Sequence, residues 1–146
     1  MNRNQTAASP LPHESAAGHV TGRALYADEQ LPPQGLLSLW PVVSPHAHAR
    51  ILRIDARDAA ALPGVEAVLT SADIPGENDS SAILHDEPVI AADTVSFHGQ
   101  SVAWVLAKDD ATARAAAARV RVEYEPLPAI LGIAAALAAN AFHLPP

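Results

Sequence analysis

The segment SVAWVLA at 101–107 constrains the fold more than any other stretch of the chain. It is almost continuously apolar and is bounded by Gly99-Gln100 on one side and Asp109-Asp110 on the other. Such a run reads as a strand covered on both faces, and so as the centre of its sheet. The two aspartates then open ATARAAAAR, where carboxylates favour a helix N-terminus through capping and the helix dipole, and Arg119 suits the other end. Val120, Val122 and Tyr124 alternate with Arg121, Glu123 and Glu125, which predicts a half-buried strand directly afterwards.

The same order of elements is expected earlier. LLSLWPVV at 36–43 is strand-like, although Pro41 restricts it to an edge or a bulge. After the Ser44-Pro45 break, ARILRID at 49–55 reads as a second strand, with Asp55 placed to cap a short alanine-rich helix over 56–62. Pro63-Gly64 ends that helix, and a third strand follows over 65–70, where Val65, Ala67 and Leu69 face one way. A loop over 71–88, a short strand near 94–97 and a last alanine-rich helix over 133–139, ending at Asn140, complete the reading. The two strand–helix–strand passages share no sequence repeat. They predict an α+β domain, a mixed β-sheet with alanine-rich helices packed on it.

A length of 146 residues fits one domain, and 49% apolar but only 4% aromatic residues imply a core of small and branched aliphatic side chains. Residues 1–17 are polar and aperiodic, so an extended or disordered leader is expected there, with the folded domain over 18–140 and a linker over 141–146. A net charge of −7 with 9 Lys and Arg argues against nucleic acid, whose phosphates require a basic face. With no cysteine, the chain cannot form disulfides, thiolate metal sites or iron–sulfur ligation. The N-terminus lacks the apolar stretch of a signal peptide, and the apolar run near 130–139 is much shorter than the roughly 20 residues of a membrane span. A soluble cytoplasmic protein without membrane contact is therefore expected.

Candidate chemistry is sparse. On a strand, His46 and His48 would face the same way and offer two imidazoles to a metal, but no third ligand accompanies them and the structural reading is preferred. Asp86 and Glu87 are adjacent carboxylates in a loop, and one would act as a general base only if buried. Gly99 and Gly76 are explained by turns, although a tight turn at Gly99-Gln100 would also expose an amide to a ligand and Gly76 would also permit a close backbone approach. Neither G-x-x-x-x-G-K-[ST] nor G-x-G-x-x-G occurs, and Ser44, Ser71, Ser80 and Ser81 show no pattern tying them to a histidine and an acid.

Taken in order, PLPHESAAGHVTG at 10–22, SPHAHARI at 44–51, PGVEAVLTSADIPGEND at 63–79, and FHGQSVAWVLA leading to VEYEPLPAI at 97–130 resemble the N-terminal a/b hammerhead domain of the molybdenum hydroxylases, the xanthine dehydrogenase and aldehyde oxidase family. The run from Pro10 to Gly22 is most similar to the bacterial xanthine dehydrogenase large subunit, the molybdenum-binding one. The resemblance implies a piece of a longer oxidoreductase of purine metabolism, which hydroxylates hypoxanthine and xanthine with water-derived oxygen. It implies molybdopterin in downstream domains of the same polypeptide, with iron–sulfur clusters and FAD on a partner subunit. No catalytic, cofactor-binding or metal residue is expected in this chain, which should be inactive and free of molybdopterin by itself. In the family SPHAHARI recurs without metal. The loop before the D-E dipeptide comes near the substrate channel there, so the resemblance points to Ile83, Leu84 and His85 as channel residues. The competing reading is a self-standing, non-catalytic α+β module that binds a partner or a small ligand.

Overall fold

The computed structural model describes residues 13–26 and 34–142. The chain divides into two compact units, Met1–Leu36 and Leu37–Pro146. In the first, a short helix α1 (Ala16–Val20) ends at Thr21, whose hydroxyl donates to the Ala17 carbonyl at 2.6 Å. Most of the expected leader, residues 1–12, lies outside the described residues, and its last two positions open this helical turn.

The second unit runs β1 (Ser38–Val43), β2 (Ala49–Asp55), α2 (Arg57–Ala60), β3 (Val65–Leu69), a 3-10 turn (Ser71–Asp73), β4 (Thr94–Val95), β5 (Ser101–Ala107), α3 (Asp110–Ala117), β6 (Arg121–Pro126) and α4 (Ile133–Ala139). β5 lies between β1 and β3, the central place its apolar run requires. β1 is an edge strand, a place where proline is tolerated, and its register slips between Val42 and Val43.

The α+β class holds, but the single mixed sheet gives way to two three-stranded antiparallel sheets, ordered β1-β5-β3 and β4-β2-β6. Each strand–helix–strand passage crosses from one sheet to the other instead of making a parallel pair. The connection over 56–64 is shorter than the dozen or so residues a parallel crossover needs. For the second passage, β1 and β3 already occupy both edges of β5, so β6 pairs with β2.

α2 is also shorter than expected. Asp55 remains in the ladder opposite Arg121, so Ala56 takes the cap position without a side-chain bond. The Asp55 carboxylate instead accepts from the Arg57 guanidinium at 2.6 and 2.9 Å and from the Arg57 amide at 3.2 Å. Those bonds, the guanidinium first, hold the Asp55 carboxyl well below the usual carboxylate range.

The core is aliphatic and small. Ala59 of α2 and Ala116 and Ala117 of α3 gather on Val105 of β5, and methyl side chains let the helices approach the sheet closely. Arg114 on the same helix stacks over the Trp40 ring at 5.6 Å. A second cluster joins Ala49, Ala91, Val95 and Val102, with Ile51, Val122 and Tyr124 packed against it. Complete burial of Val102 and Val105 contributes roughly 1.5–3 kcal/mol each. α4 ends at Asn140 in the left-handed conformation (φ 49°), with the Ala141 amide donating to the Ala136 carbonyl. Residues 143–146 of the expected linker lie outside the described residues. Among the described residues no helix is long and apolar enough to cross a membrane.

Candidate functional site

The segment between the 3-10 turn and β4 has almost no regular structure, so side chains must satisfy its backbone. Entry is set by Asp73, whose carboxylate accepts from the Thr70 amide at 2.7 Å and hydroxyl at 2.9 Å. These bonds, the amide first, lower the Asp73 pKa. At the far end the Asn78 amide side chain pairs with the Ile90 backbone like a neighbouring strand. It donates to the Ile90 carbonyl at 2.7 Å and accepts from the Ile90 amide at 3.1 Å. Because the Ile90 side chain is buried, this pair fastens the loop to the core.

The loop closes on Ser81. Its hydroxyl accepts the amides of Asp86 and Glu87 at 3.1 and 3.0 Å and donates to Asp79 Oδ1. The Ser80 amide and hydroxyl both donate to the Glu87 carbonyl, at 2.8 and 3.0 Å. The other Asp79 oxygen meets His85 Nδ1 at 2.6 Å. Hydrogen bonds from the Ser81 hydroxyl and amide, and then from His85, hold the Asp79 carboxyl below its ordinary value.

This stitching leaves Ile83 and Leu84 at the tip, 90% and 45% exposed. Ile83 is among the most exposed large apolar side chains of the described residues, and Leu84 stands next to it on the cross-braced loop. His85 stands beside them but is engaged by Asp79, with Glu77 at 3.9 Å. The carboxylates of Glu77 and Asp79 and the His85 imidazole thus gather within 4.8 Å, a cluster the sequence analysis missed. No spacing rule would have found it, because loop closure alone brings 77, 79 and 85 together. Both Asp79 oxygens are already committed to Ser81 and His85, so the cluster braces the loop.

The remaining sequence candidates are accounted for structurally. His48 and His46 do not converge. His48 Nδ1 donates to the Pro128 carbonyl at 2.8 Å, and the His46 ring meets Tyr124 edge-on at 5.0 Å between centroids. Burial pushes the Tyr124 phenol up, and the Ser44 hydroxyl offsets only part of that rise. Asp86 and Glu87 are exposed, and their backbone amides rather than their carboxylates hold the loop. Gly99, at φ +91°, turns the chain so that its amide reaches the Ser44 carbonyl at 2.9 Å, while Gln100 Oε1 accepts the Ser96 amide. A Cβ at Gly76 would meet nothing within 4 Å, so no close backbone approach occurs there.

Comparison with known proteins places this architecture. A family model described as aldehyde oxidase and xanthine dehydrogenase, a/b hammerhead domain, matches residues 21–128. A xanthine dehydrogenase of Oryza sativa subsp. japonica is 45% identical over 134 residues, covering 92% of this chain and 10% of the relative. Among solved structures, the aldehyde oxidoreductase from Desulfovibrio gigas superposes with a TM-score of 0.80 at 33% identity, over 90% of this chain and 16% of that one. A Cu,Mo-CO dehydrogenase superposes with a TM-score of 0.73 at 40% identity, over 80% of this chain and 15% of that one. The chain therefore spans about a tenth of the length of the curated relative and about a sixth of the solved ones. With the family match over 21–128, two linked antiparallel sheets and an alanine-packed core, the chain belongs to the aldehyde oxidase and xanthine dehydrogenase family, as its a/b hammerhead domain.

Proposed function

We propose that this chain is the hammerhead domain of the molybdenum-binding subunit of a xanthine dehydrogenase-like oxidoreductase. In the complete enzyme, hypoxanthine and xanthine are hydroxylated with oxygen from water, and electrons pass to iron–sulfur clusters and FAD on a partner subunit. The domain itself is structural. Its loop around Ile83, Leu84 and His85 forms part of the wall along which substrate approaches. The observation carrying this reading is the braced tip: Ser81, Asp79 and Asn78 fix a loop that holds Ile83 and Leu84 out of the domain's own core. An apolar wall of fixed shape favours flat heteroaromatic rings and excludes water from their faces.

A molybdenum cofactor supplies the redox chemistry in this reading, and the described residues do not fit as its cradle. Arg50, Arg57 and Arg121 are held in ion pairs with Glu125, Asp55 and Asp58. No glycine-rich phosphate loop is present to take the pterin's phosphate. We therefore assign cofactor binding to downstream domains and derive no chemical step here.

The test is Leu84→Asp in the complete enzyme. Desolvating a carboxylate at the wall should lower kcat/KM for xanthine by about tenfold or more. Unchanged turnover and affinity would remove the channel role. Sequencing the downstream reading frame decides the larger question: several hundred further residues support the enzyme, and an early stop supports the self-standing module.

A further inference from the structure

The cluster of Glu77, Asp79 and His85 holds more than a brace requires. His85 Nδ1 has one hydrogen to give, and at 2.6 Å from Asp79 Oδ2 that hydrogen is taken. The Glu77 carboxylate still turns to the same nitrogen at 3.9 Å, too far for a hydrogen bond. Two carboxylate oxygens and one imidazole nitrogen thus converge, all within 4.8 Å of one another. The surrounding charge is one-sided. From Asp58 to Ala107 the chain has eight carboxylates and no Lys or Arg. Among the described residues His85 is the only basic group within ion-pair reach of Glu77 or Asp79. The Asp79 side chain is only 10% exposed, whereas Glu77 and His85 open to solvent.

We infer that Glu77, Asp79 and His85 form a binding site for a divalent transition-metal ion of the zinc class. One imidazole with two carboxylates suits Zn²⁺ better than Ca²⁺, which takes oxygen ligands and more of them. The ligands of a tetrahedral Zn²⁺ stand about 3.5 Å apart, so the exposed Glu77 arm closes by about 1 Å. The ion takes the place of the hydrogen between His85 and Asp79, and the neutral imidazole carries its hydrogen on Nε2 instead. Ser81 keeps Asp79 Oδ1 and so aims the carboxylate. Bound there, the ion ties residues 77, 79 and 85 together and stiffens the loop that carries Ile83 and Leu84, whatever that tip faces.

Amide hydrogen exchange across 77–87 in the chelator-washed, full-length gene product tests the site, with Zn²⁺ and Ca²⁺ as probes. Zn²⁺ should slow exchange there by about tenfold or more, and Ca²⁺ at the same concentration should not. Glu77→Gln and His85→Gln, each compared with its own metal-free form, should lose that response. His98→Gln should keep it, and β5 should stay protected in every variant, which shows that the domain remains folded. Zn²⁺ without effect on 77–87 would overturn the inference. So would a response that survives either Glu77→Gln or His85→Gln, because other groups would then hold the ion. An equal response to Ca²⁺ would also overturn it, since that would mark carboxylates acting without the imidazole.

Discussion

Gly64 and Lys108 are locked together at the junction of α2 and β3 with the end of β5. The Lys108 amide donates to the Gly64 carbonyl at 2.9 Å, and the Lys108 side chain lies where a Gly64 Cβ would stand, with Cδ 2.7 Å away. Gly64 also has φ +88°, a conformation that L side chains resist. Gly64→Ala should therefore destabilise the chain by about 1–2 kcal/mol, mainly through the backbone. Since the lysine stem can swing away, adding Lys108→Ala should recover little of the loss. Urea unfolding of the single and double variants checks both statements, and full recovery in the double variant would show that crowding, not φ, sets the cost.

Close helix–sheet approach depends on alanine. Ala116 is fully buried against Val105 and Ala59, so Ala116→Leu has no room for the added atoms. A loss of about 1–3 kcal/mol is expected from overpacking. The same change at exposed Ala115 should be nearly neutral, and equal midpoints for the two variants in urea would contradict the packing account.

Ser81 braces the loop by accepting two amides and donating to Asp79. Ser81→Ala should speed amide exchange at Asp86 and Glu87 by about tenfold while leaving β5 protected. Unchanged exchange at 86 and 87 would mean that the Ser80 contacts to Glu87 hold the loop by themselves.

Asp109 caps α3 by accepting the Thr112 amide at 2.7 Å. Hydrogen bonds from the Thr112 hydroxyl and amide, with help from Lys108, hold its carboxyl below the ordinary value. A depressed folded-state pKa contributes stability that is present above the unfolded value of about 3.9 and is lost as pH falls through the folded one. The wild-type chain should thus lose part of its stability in acid below about pH 4, and Asp109→Asn should show a shallower acid decline. Thermal midpoints followed from pH 6 to pH 2 measure the difference, and parallel curves would assign the acid sensitivity to other carboxylates.

Most elements were legible because their signals are local. Asp109-Asp110 ahead of an alanine run, Pro41 at an edge, and Asn140 after α4 each act within a few residues, and the structure keeps all of them. Asp55 shows where local reasoning stops. Its cap propensity is real, but its backbone is committed to pairing with Arg121, so the helix starts later and the carboxylate turns to Arg57. The candidate site was legible only as the names Ile83, Leu84 and His85. That His85 faces Asp79, and that Ser81 closes the loop beneath the tip, depends on side-chain contacts without a sequence period.

The order of strands and helices from β1 onward, the aliphatic core and the family were thus contained in the amino-acid sequence, because alternation, capping and motif order are properties of neighbouring residues; the short α1 was not. The division into two antiparallel sheets, the His48–Pro128 clasp and the exposed faces of α4 and the 83–84 tip were decided by the tertiary structure. These depend on which strand edges are already occupied and on where a closing loop brings distant groups together. Both are set by chain closure across the whole domain, and no window of sequence carries them.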